Sequence, residues 1–135
     1  MNRFCALAVS ILAAIGLGGC TLATHVKADF VAGRLTFGSD LKERGECFFQ
    51  FELRDRTSGQ VVWAIAEKPE ANPPELSECK GQFPLEYGKA PAGFATAVAP
   101  AKLISGHSYS IDGSNGNPLY GNFLYTVVER IENVE

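Results

Sequence analysis

Few side chains outside the first twenty residues could perform acid–base or nucleophilic chemistry. The sequence has two histidines, His25 and His107. Nucleophilic catalysis requires a Ser, Cys or Thr beside a base, and glycoside hydrolysis requires two carboxyl groups held close together. His107 directly follows Gly106, so we expect a solvated turn residue rather than a base. No local spacing favours a particular pair of acids. The sequence therefore predicts no catalytic residues and a protein that is not an enzyme.

Metal sites are also weakly supported by the sequence. Oxygen-bearing side chains cluster between Asp112 and Asn117, as they do in calcium loops. An EF-hand, however, needs a ligand where this segment has glycine and a bidentate glutamate where it has Phe123. We expect a tight, glycine-containing hairpin loop there, and a solvated acidic loop where glutamates recur between residues 67 and 78. The sequence predicts neither a metal nor a cofactor.

The first twenty residues have the three-part layout of a secretory signal. Arg3 is followed by an apolar run from Phe4 to Leu17, which only Ser10 and Gly16 interrupt, and then by two glycines. A helix needs about 20 apolar residues to cross a bilayer, and this run is shorter. Removal of residues 1-19 as a signal peptide is therefore the expectation.

The segment Leu17-Gly18-Gly19-Cys20 resembles the lipobox of bacterial lipoprotein precursors, in which an apolar and two small residues precede a modified cysteine. The resemblance implies lipid on Cys20 and attachment to a membrane facing the periplasm. Thr21 rather than aspartate follows the cysteine, which favours the outer membrane. Residues 20-29 are expected to form a lipidated tether. The alternatives are an ordinary cleaved signal, or an uncleaved anchor whose cysteine is incidental.

An even pair of cysteines remains after the leader is removed and Cys20 is lipidated. These are Cys47 and Cys79, and in an oxidising compartment the expectation is a disulfide between them. Two unpaired, buried thiols are the first alternative. A zinc site that also uses His25 or His107 is the second, although the chain has no C-x-x-C spacing.

Length and charge limit the kind of domain that follows the leader. Residues 20 to 135 number 116, enough for one core, and carry 11 basic against 15 acidic side chains, a formal charge of −4. Nucleic-acid binding depends on basic contacts to phosphate, so no nucleic-acid partner is expected. We expect one domain over residues 30-135.

The hydrophobic pattern of that domain has the two-residue period of β-strands. Alternation from Cys47 to Leu53 places Cys47, Phe49, Phe51 and Leu53 on one face, and a polar turn leads to a second run, so the two runs predict a hairpin. The further runs are Phe30 to Phe37, Val61 to Ala66, Gly93 to Val98, Ser108 to Asp112 and Asn122 to Ile131, and proline-rich residues 67 to 82 predict a loop. The expectation is an all-β domain, a small β-sandwich of about seven strands. A short barrel would show the same periodicity.

One short pattern adds detail to the sandwich expectation. Leu103, Gly106 and Tyr109 have the spacing Leu-x-x-Gly-x-x-Tyr. It resembles the tyrosine corner of immunoglobulin-like and fibronectin type III sandwiches. The resemblance implies that the Tyr109 hydroxyl bonds to the backbone a few residues upstream. No cysteine lies two residues after Tyr109, so the implied relation is one of architecture.

Binding is the functional class that the composition leaves open. Aromatic side chains near glycines can receive a sugar, a peptide or a protein, although we expect core positions for Tyr87, Phe94, Tyr120 and Tyr125. The sequence predicts a lipid-anchored structural or protein-interaction module of the cell envelope, whose protein partner it does not identify. The alternative is an envelope protein that binds a glycan, a peptide or an enzyme, including as an inhibitor.

Overall fold

The computed structural model of the chain describes residues 23–39, 47–72, 78–126 and 130–134, and every regular element in them is a β-strand. The all-β prediction is confirmed. In chain order the strands are β1 (Thr24–Val31), β2 (Arg34–Ser39), β3 (Cys47–Phe48), β4 (Gln50–Asp55), β5 (Val61–Glu67), β6 (Gly81–Gln82), β7 (Leu85–Glu86), β8 (Phe94–Val98), β9 (Ser108–Ser114), β10 (Pro118–Thr126) and β11 (Arg130–Asn133).

Nine of these strands form one sheet, with the order β7-β2-β1-β10-β9-β4-β5-β8 and with β11 paired to β10. The pairs are antiparallel except β1 with β10, which run parallel through Thr24 and His25. β3 and β6 form a separate two-stranded sheet. The described residues therefore contain more strands than the expected seven, and most of them belong to one curled sheet.

Tyr87 joins the two ends of the curled sheet. It follows the edge strand β7, and its hydroxyl donates a hydrogen bond of 2.7 Å to the carbonyl of Ala101, beyond the opposite edge strand β8. The Ala101 amide in turn donates to the carbonyl of Val62 in β5. These bonds link polar backbone groups that the curled sheet would otherwise leave without partners.

Alternate residues of each long strand point into the curl and form one core. Trp63, Phe37, Phe51, Tyr109 and Phe123 are at most 1% exposed. Their rings contact one another, with centroid separations such as 5.0 Å between Phe37 and Phe51 and 5.5 Å between Tyr109 and Phe123. Aromatic rings bury large areas and interact at such distances, so this cluster dominates the packing of the domain.

The predicted single strand from Phe30 to Phe37 is wrong, because the chain reverses direction at Ala32 and Gly33. Both residues have positive φ, 51° and 75°, and Val31 pairs directly with Arg34. Positive φ at both central residues defines the two-residue turn that matches the twist of a hairpin. The predicted run is therefore the end of β1, a turn and β2.

The expected tether over residues 20-29 is wrong from Thr24 onward. β1 begins at Thr24, and Thr24, Val26 and Ala28 are buried at 6%, 0% and 2% exposure. These residues alternate with polar ones, which is the strand signal, but the apolar members are small and the pattern is weak. Residues 20–22, including Cys20, lie outside the described part of the chain.

The predicted faces of the segment from Cys47 to Leu53 hold only after residue 50. Phe51 and Leu53 are buried as predicted, but Phe48 is also fully buried, and Phe49 separates β3 from β4. This break shifts the alternation by one residue. The hairpin of β4 with β5 is confirmed, with a bulge between Leu53 and Arg54.

The last predicted strand, Asn122 to Ile131, is two strands. β10 ends at Thr126 and β11 begins at Arg130, and the two pair antiparallel. The predicted loop over residues 67 to 82 also differs from the structure, because its last two residues form the short strand β6. The strands predicted near Gly93 to Val98 and Ser108 to Asp112 correspond to β8 and β9.

Candidate functional site

Among the described residues, three connecting segments meet at one end of the sheet, which we call the tip: the β1–β2 turn (residues 31–34), the β4–β5 turn (residues 55–60) and the loop of residues 101–107. Asp55 contacts His107, and the Gly106 amide donates to the carbonyl of Tyr125 at the end of β10. The Phe30 ring lies 6.3 Å from the Tyr125 ring. These contacts place the end of β1 beside the other two segments.

Asp55 is the buried polar centre of the tip. Its carboxylate accepts hydrogen bonds from His107 Nδ1 at 2.7 Å and from the amides of Thr57 at 2.8 Å and Ser58 at 3.3 Å. Because the carboxylate is an acceptor when ionised, His107 carries its proton on Nδ1. The Asp55 side chain is 3% exposed and that of His107 is 26% exposed.

The net effect of this environment is a lowered pKa for Asp55. Burial acts in the opposite direction and raises the pKa, because it disfavours the charged carboxylate. The hydrogen bonds from His107, Thr57 and Ser58, together with the attraction of His107, outweigh burial. Asp55 is thus held as a carboxylate whose bonds order the turn and orient the His107 ring.

The pair of Asp55 and His107 is the closest approach to a catalytic arrangement in the described residues. A histidine oriented by a carboxylate supplies two of the three parts of a nucleophilic triad, and the third is a hydroxyl or thiol within reach of Nε2. The sequence prediction of a solvated turn histidine is wrong in one respect. His107 lies in a turn, but its Nδ1 is bound to a buried acid.

Tyr109 connects the loop of residues 101–107 to the core. It is fully buried, and its hydroxyl accepts a 2.8 Å hydrogen bond from the amide of Ile104, five residues upstream. Leu103 is partly buried against the core, and Gly106 has a φ of 84°, a conformation that favours glycine. Burial raises the pKa of Tyr109, and burial also raises the pKa of Tyr87 to about 12.

The loop is bound to the sheet along its length but presents two long side chains, Lys102 and Ile104, to solvent. Ala101, Ile104, Gly106 and His107 all have backbone or side-chain hydrogen bonds to fixed partners. Between these points Lys102 is exposed and Ile104 is 52% exposed. On the adjacent β1–β2 turn, Val31 is 55% exposed. The tip therefore displays large aliphatic side chains on an ordered backbone.

A second surface feature is a cleft of about 310 Å³ on the outer face of β9, β4, β5 and β8. Ala64, Ala66 and Ala97 contribute small side chains to it. Glu52 and Asp112 also line the cleft, and they lie directly opposite each other on β4 and β9. Arg54 Nη2 lies 2.8 Å from Glu52 Oε1. The cleft thus contains two carboxylates, one of which is paired with Arg54.

The predicted disulfide is present between Cys47 and Cys79, whose Cα atoms are 5.4 Å apart. It links Cys47 of β3 to Cys79, which lies just before β6. The disulfide therefore joins the same two segments that pair as the two-stranded sheet. Near it, Lys80 contacts Glu70 and its amide contacts Glu67. The bridge is structural, since it fixes the small sheet over Phe48 in the core.

The segment from Asp112 to Asn117 contains the predicted hairpin loop, but its first half is strand. Asp112, Gly113 and Ser114 belong to β9, and residues 115–117 connect it to β10, with Ser114 paired to Pro118. Phe94 is a core residue, as predicted. Tyr120 is not, since it is 47% exposed, and the centroid of its ring lies 5.3 Å from that of the His25 ring. The sequence placed Asp55 at the start of a polar turn, and Asp is a residue type that favours turns, but it did not predict the burial of Asp55 or its contact with His107.

Within the described ranges, no three His, Cys, Asp or Glu side chains are close enough to hold a metal ion. No helix that could span a membrane occurs in the same residues. The chain matches no protein-family model, no curated protein and no solved structure in the comparisons made.

Proposed function

We propose that the protein is a lipid-anchored lipoprotein of the cell envelope, which acts as a structural or protein-interaction module and not as an enzyme. The observation that carries the proposal is the segment Leu17-Gly18-Gly19-Cys20 at the end of an apolar leader. Its position relative to the fold supports it, since Cys20 lies only four residues before Thr24, where β1 begins. A lipidated Cys20 would leave the whole domain free to fold.

The short connection would hold the domain close to the membrane. Four residue steps span at most about 14 Å when extended. Each methylene of a lipid chain buried in the bilayer contributes about 0.8 kcal/mol, and stable anchoring takes at least two chains, as a diacylated cysteine provides. Confinement to a surface would raise the effective concentration of the domain for partners in the same layer.

Intact mass of the membrane-extracted protein tests the proposal. We expect a chain that begins at Cys20 and carries acyl chains, and a Cys20→Ser variant that lacks them and is released from the membrane fraction. Cys5→Ser is the matched control, because Cys5 lies within the leader and its replacement should leave the mature mass unchanged. A wild-type chain that retains residues 1 to 19 without lipid would contradict the proposal.

The cleft on the outer face favours a second candidate, an envelope protein that binds a small ligand such as a glycan or a peptide. A ligand that binds only the folded state raises the melting temperature in proportion to the logarithm of its concentration. Thermal unfolding in the presence of glycans and peptides, with Ala66→Trp to fill the cleft, tests this candidate. A shift that Ala66→Trp abolishes would support it, and the absence of any shift would count against it.

A further inference from the structure

We infer that the tip is a docking surface for an acidic protein segment that also carries apolar side chains. The three segments of the tip display two aliphatic side chains, Val31 and Ile104, which are more than half exposed. Exposed apolar groups that cluster beside charged ones are typical of interaction sites. The orientation of the tip described below rests on the proposed lipid anchor, whereas the docking surface itself does not.

The charge of the tip selects the chemistry of the partner. Its exposed charged residues are Arg34, Arg56 and Lys102, and all three are basic. Arg34 lies 3.5 Å from Glu86 of β7, a carboxylate that Lys89 also contacts. Asp55 is the only acidic residue in the three segments, and it is buried against His107. The whole chain, by contrast, has a formal charge of −3. A basic surface on an acidic protein attracts an acidic partner and orients it during approach.

The order of the loop makes the exposed side chains effective for binding. Ile104 is displayed from a backbone whose own amide is bound by the Tyr109 hydroxyl, and Gly106 and His107 are bound to neighbouring strands. Binding therefore requires little loss of backbone freedom at this loop. Interfaces built on such pre-ordered groups lose less free energy on association than those built on mobile loops.

The direction of β1 places the tip away from the anchor. β1 runs from Thr24, next to the proposed lipid, to Val31 at the tip. Eight residues of strand extend over roughly 25 Å, so the tip would lie about that far from the lipid surface. A protein in the space beyond the membrane is therefore the favoured occupant, and the anchoring membrane is not.

The test uses full-length, lipidated protein in vesicles of phosphatidylcholine and three sets of short synthetic peptides. The first set combines Asp and Glu with Leu and Phe, the second replaces the acids with Lys, and the third replaces them with Ser. We expect binding by the first set alone, weakened by salt. Ile104→Asp should weaken it about tenfold or more, which is typical of a central contact residue, and Lys102→Glu should act in the same direction.

Val134→Asp is the matched control, because Val134 is 47% exposed but lies at the end of β11, outside the tip. Its binding should equal that of the unchanged protein. Equal binding of all three peptide sets, or binding that Ile104→Asp and Lys102→Glu leave intact, would overturn the inference. So would recruitment of separate vesicles that contain phosphatidylglycerol in place of the acidic peptides, since the occupant would then be an anionic membrane.

The Cys20→Ser protein separates this inference from the proposed function. Binding of the acidic set by both forms, with no lipid on wild-type Cys20, would refute the anchor and retain the docking surface. A lipidated wild type that binds no peptide selectively would retain the anchor and refute the docking surface.

Discussion

At the scale of single residues, stability at the tip depends on a carboxylate that is almost fully buried. Asp55 receives three hydrogen bonds, and each of the donors would lose its partner if the carboxylate were removed. Removing one member of a buried, hydrogen-bonded pair costs more than the pair contributes, because the remaining groups are desolvated without compensation. Asp55 therefore matters more to the fold than an exposed acid does.

We expect Asp55→Ala to lower the free energy of unfolding by about 3 kcal/mol at neutral pH, within the range found for broken buried pairs. Urea denaturation monitored by the fluorescence of Trp63 would measure the change. Asp112→Ala is the matched control, since Asp112 is exposed on the outer face, and it should change the stability by less than about 0.5 kcal/mol. Equal effects of the two substitutions would show that Asp55 has no special role.

The lowered pKa of Asp55 predicts the pH range in which its contribution disappears. The unfolded chain has the ordinary value of 3.8 and the folded chain a lower one, so the unfolded state takes up the proton first as the pH falls. The stabilisation is complete above pH 3.8 and is lost as the pH falls through the folded pKa. The difference in stability between wild type and Asp55→Asn should therefore be constant near neutrality and shrink below pH 3.8. A difference that grows on acidification would contradict this assignment.

Tyr109 offers a second test at this scale. Tyr109→Phe removes only the hydroxyl that accepts the Ile104 amide, and should cost about 1 kcal/mol, the usual net contribution of one hydrogen bond. Hydrogen exchange at the Ile104 amide should accelerate in parallel. Tyr120→Phe removes a hydroxyl from a tyrosine that is 47% exposed and should leave both quantities unchanged.

At the scale of the strands, one side chain supplies hydrogen bonds at a point where two strands of the sheet separate. β10 pairs with β1 at its start and with β11 at its end, so β1 and β10 separate where β11 enters. Asn133 bridges the gap: its Oδ1 accepts from the Ala28 amide at 3.0 Å, and its Nδ2 donates to the Ala28 carbonyl at 3.0 Å. The side-chain amide thus takes the place of a peptide group in the ladder.

Replacing Asn133 should loosen β1 and β11 together. Asn133→Asp keeps an acceptor for the Ala28 amide but faces the Ala28 carbonyl with a second acceptor, so we expect it to destabilise at least as much as Asn133→Ala, by about 1 to 3 kcal/mol. Hydrogen exchange at the Ala28 amide gives a direct measurement. Glu132→Ala, on the same strand with an exposed side chain, should leave exchange at Ala28 unaltered.

At the scale of the whole molecule, a disulfide fixes the small sheet and the exposed charges differ between the tip and the outer cleft. The bridge joins residues 32 positions apart and fixes β3 and β6 over the core. The exposed charged residues of the three tip segments are basic, whereas Glu52 and Asp112 line the outer cleft. The tip and the cleft therefore differ in the sign of the charges that they present.

Loss of the disulfide should destabilise the whole domain. Closing a loop of this length stabilises a fold by about 3.5 to 4 kcal/mol in the chain-entropy model. We expect the free energy of unfolding of the double variant Cys47→Ser, Cys79→Ser, measured by denaturant titration, to be lower by that amount, and reduction of the wild type to lower it equally. Reduction should have no further effect on the double variant. A wild type whose stability is insensitive to reduction would contradict this prediction.

The sequence by itself determined the strand class, the disulfide and the hairpin of β4 with β5, because a two-residue period and an even cysteine pair are local or countable signals. It did not predict the strand boundaries at Ala32 and Phe49, since reversals and breaks there depend on packing and not on composition. The tether prediction failed at Thr24 because small residues become a buried strand only when β10 lies beside them.

Only the tertiary structure brought together the residues of the tip. Asp55 and His107 are 52 positions apart, so no local pattern could pair them. The same holds outside the tip for Ala28 and Asn133, which are 105 positions apart. The curl of the sheet, completed by Tyr87, decides which loops meet at one end. A sequence specifies which faces of each strand are apolar, whereas burial of those faces against one another decides which distant polar groups must become partners.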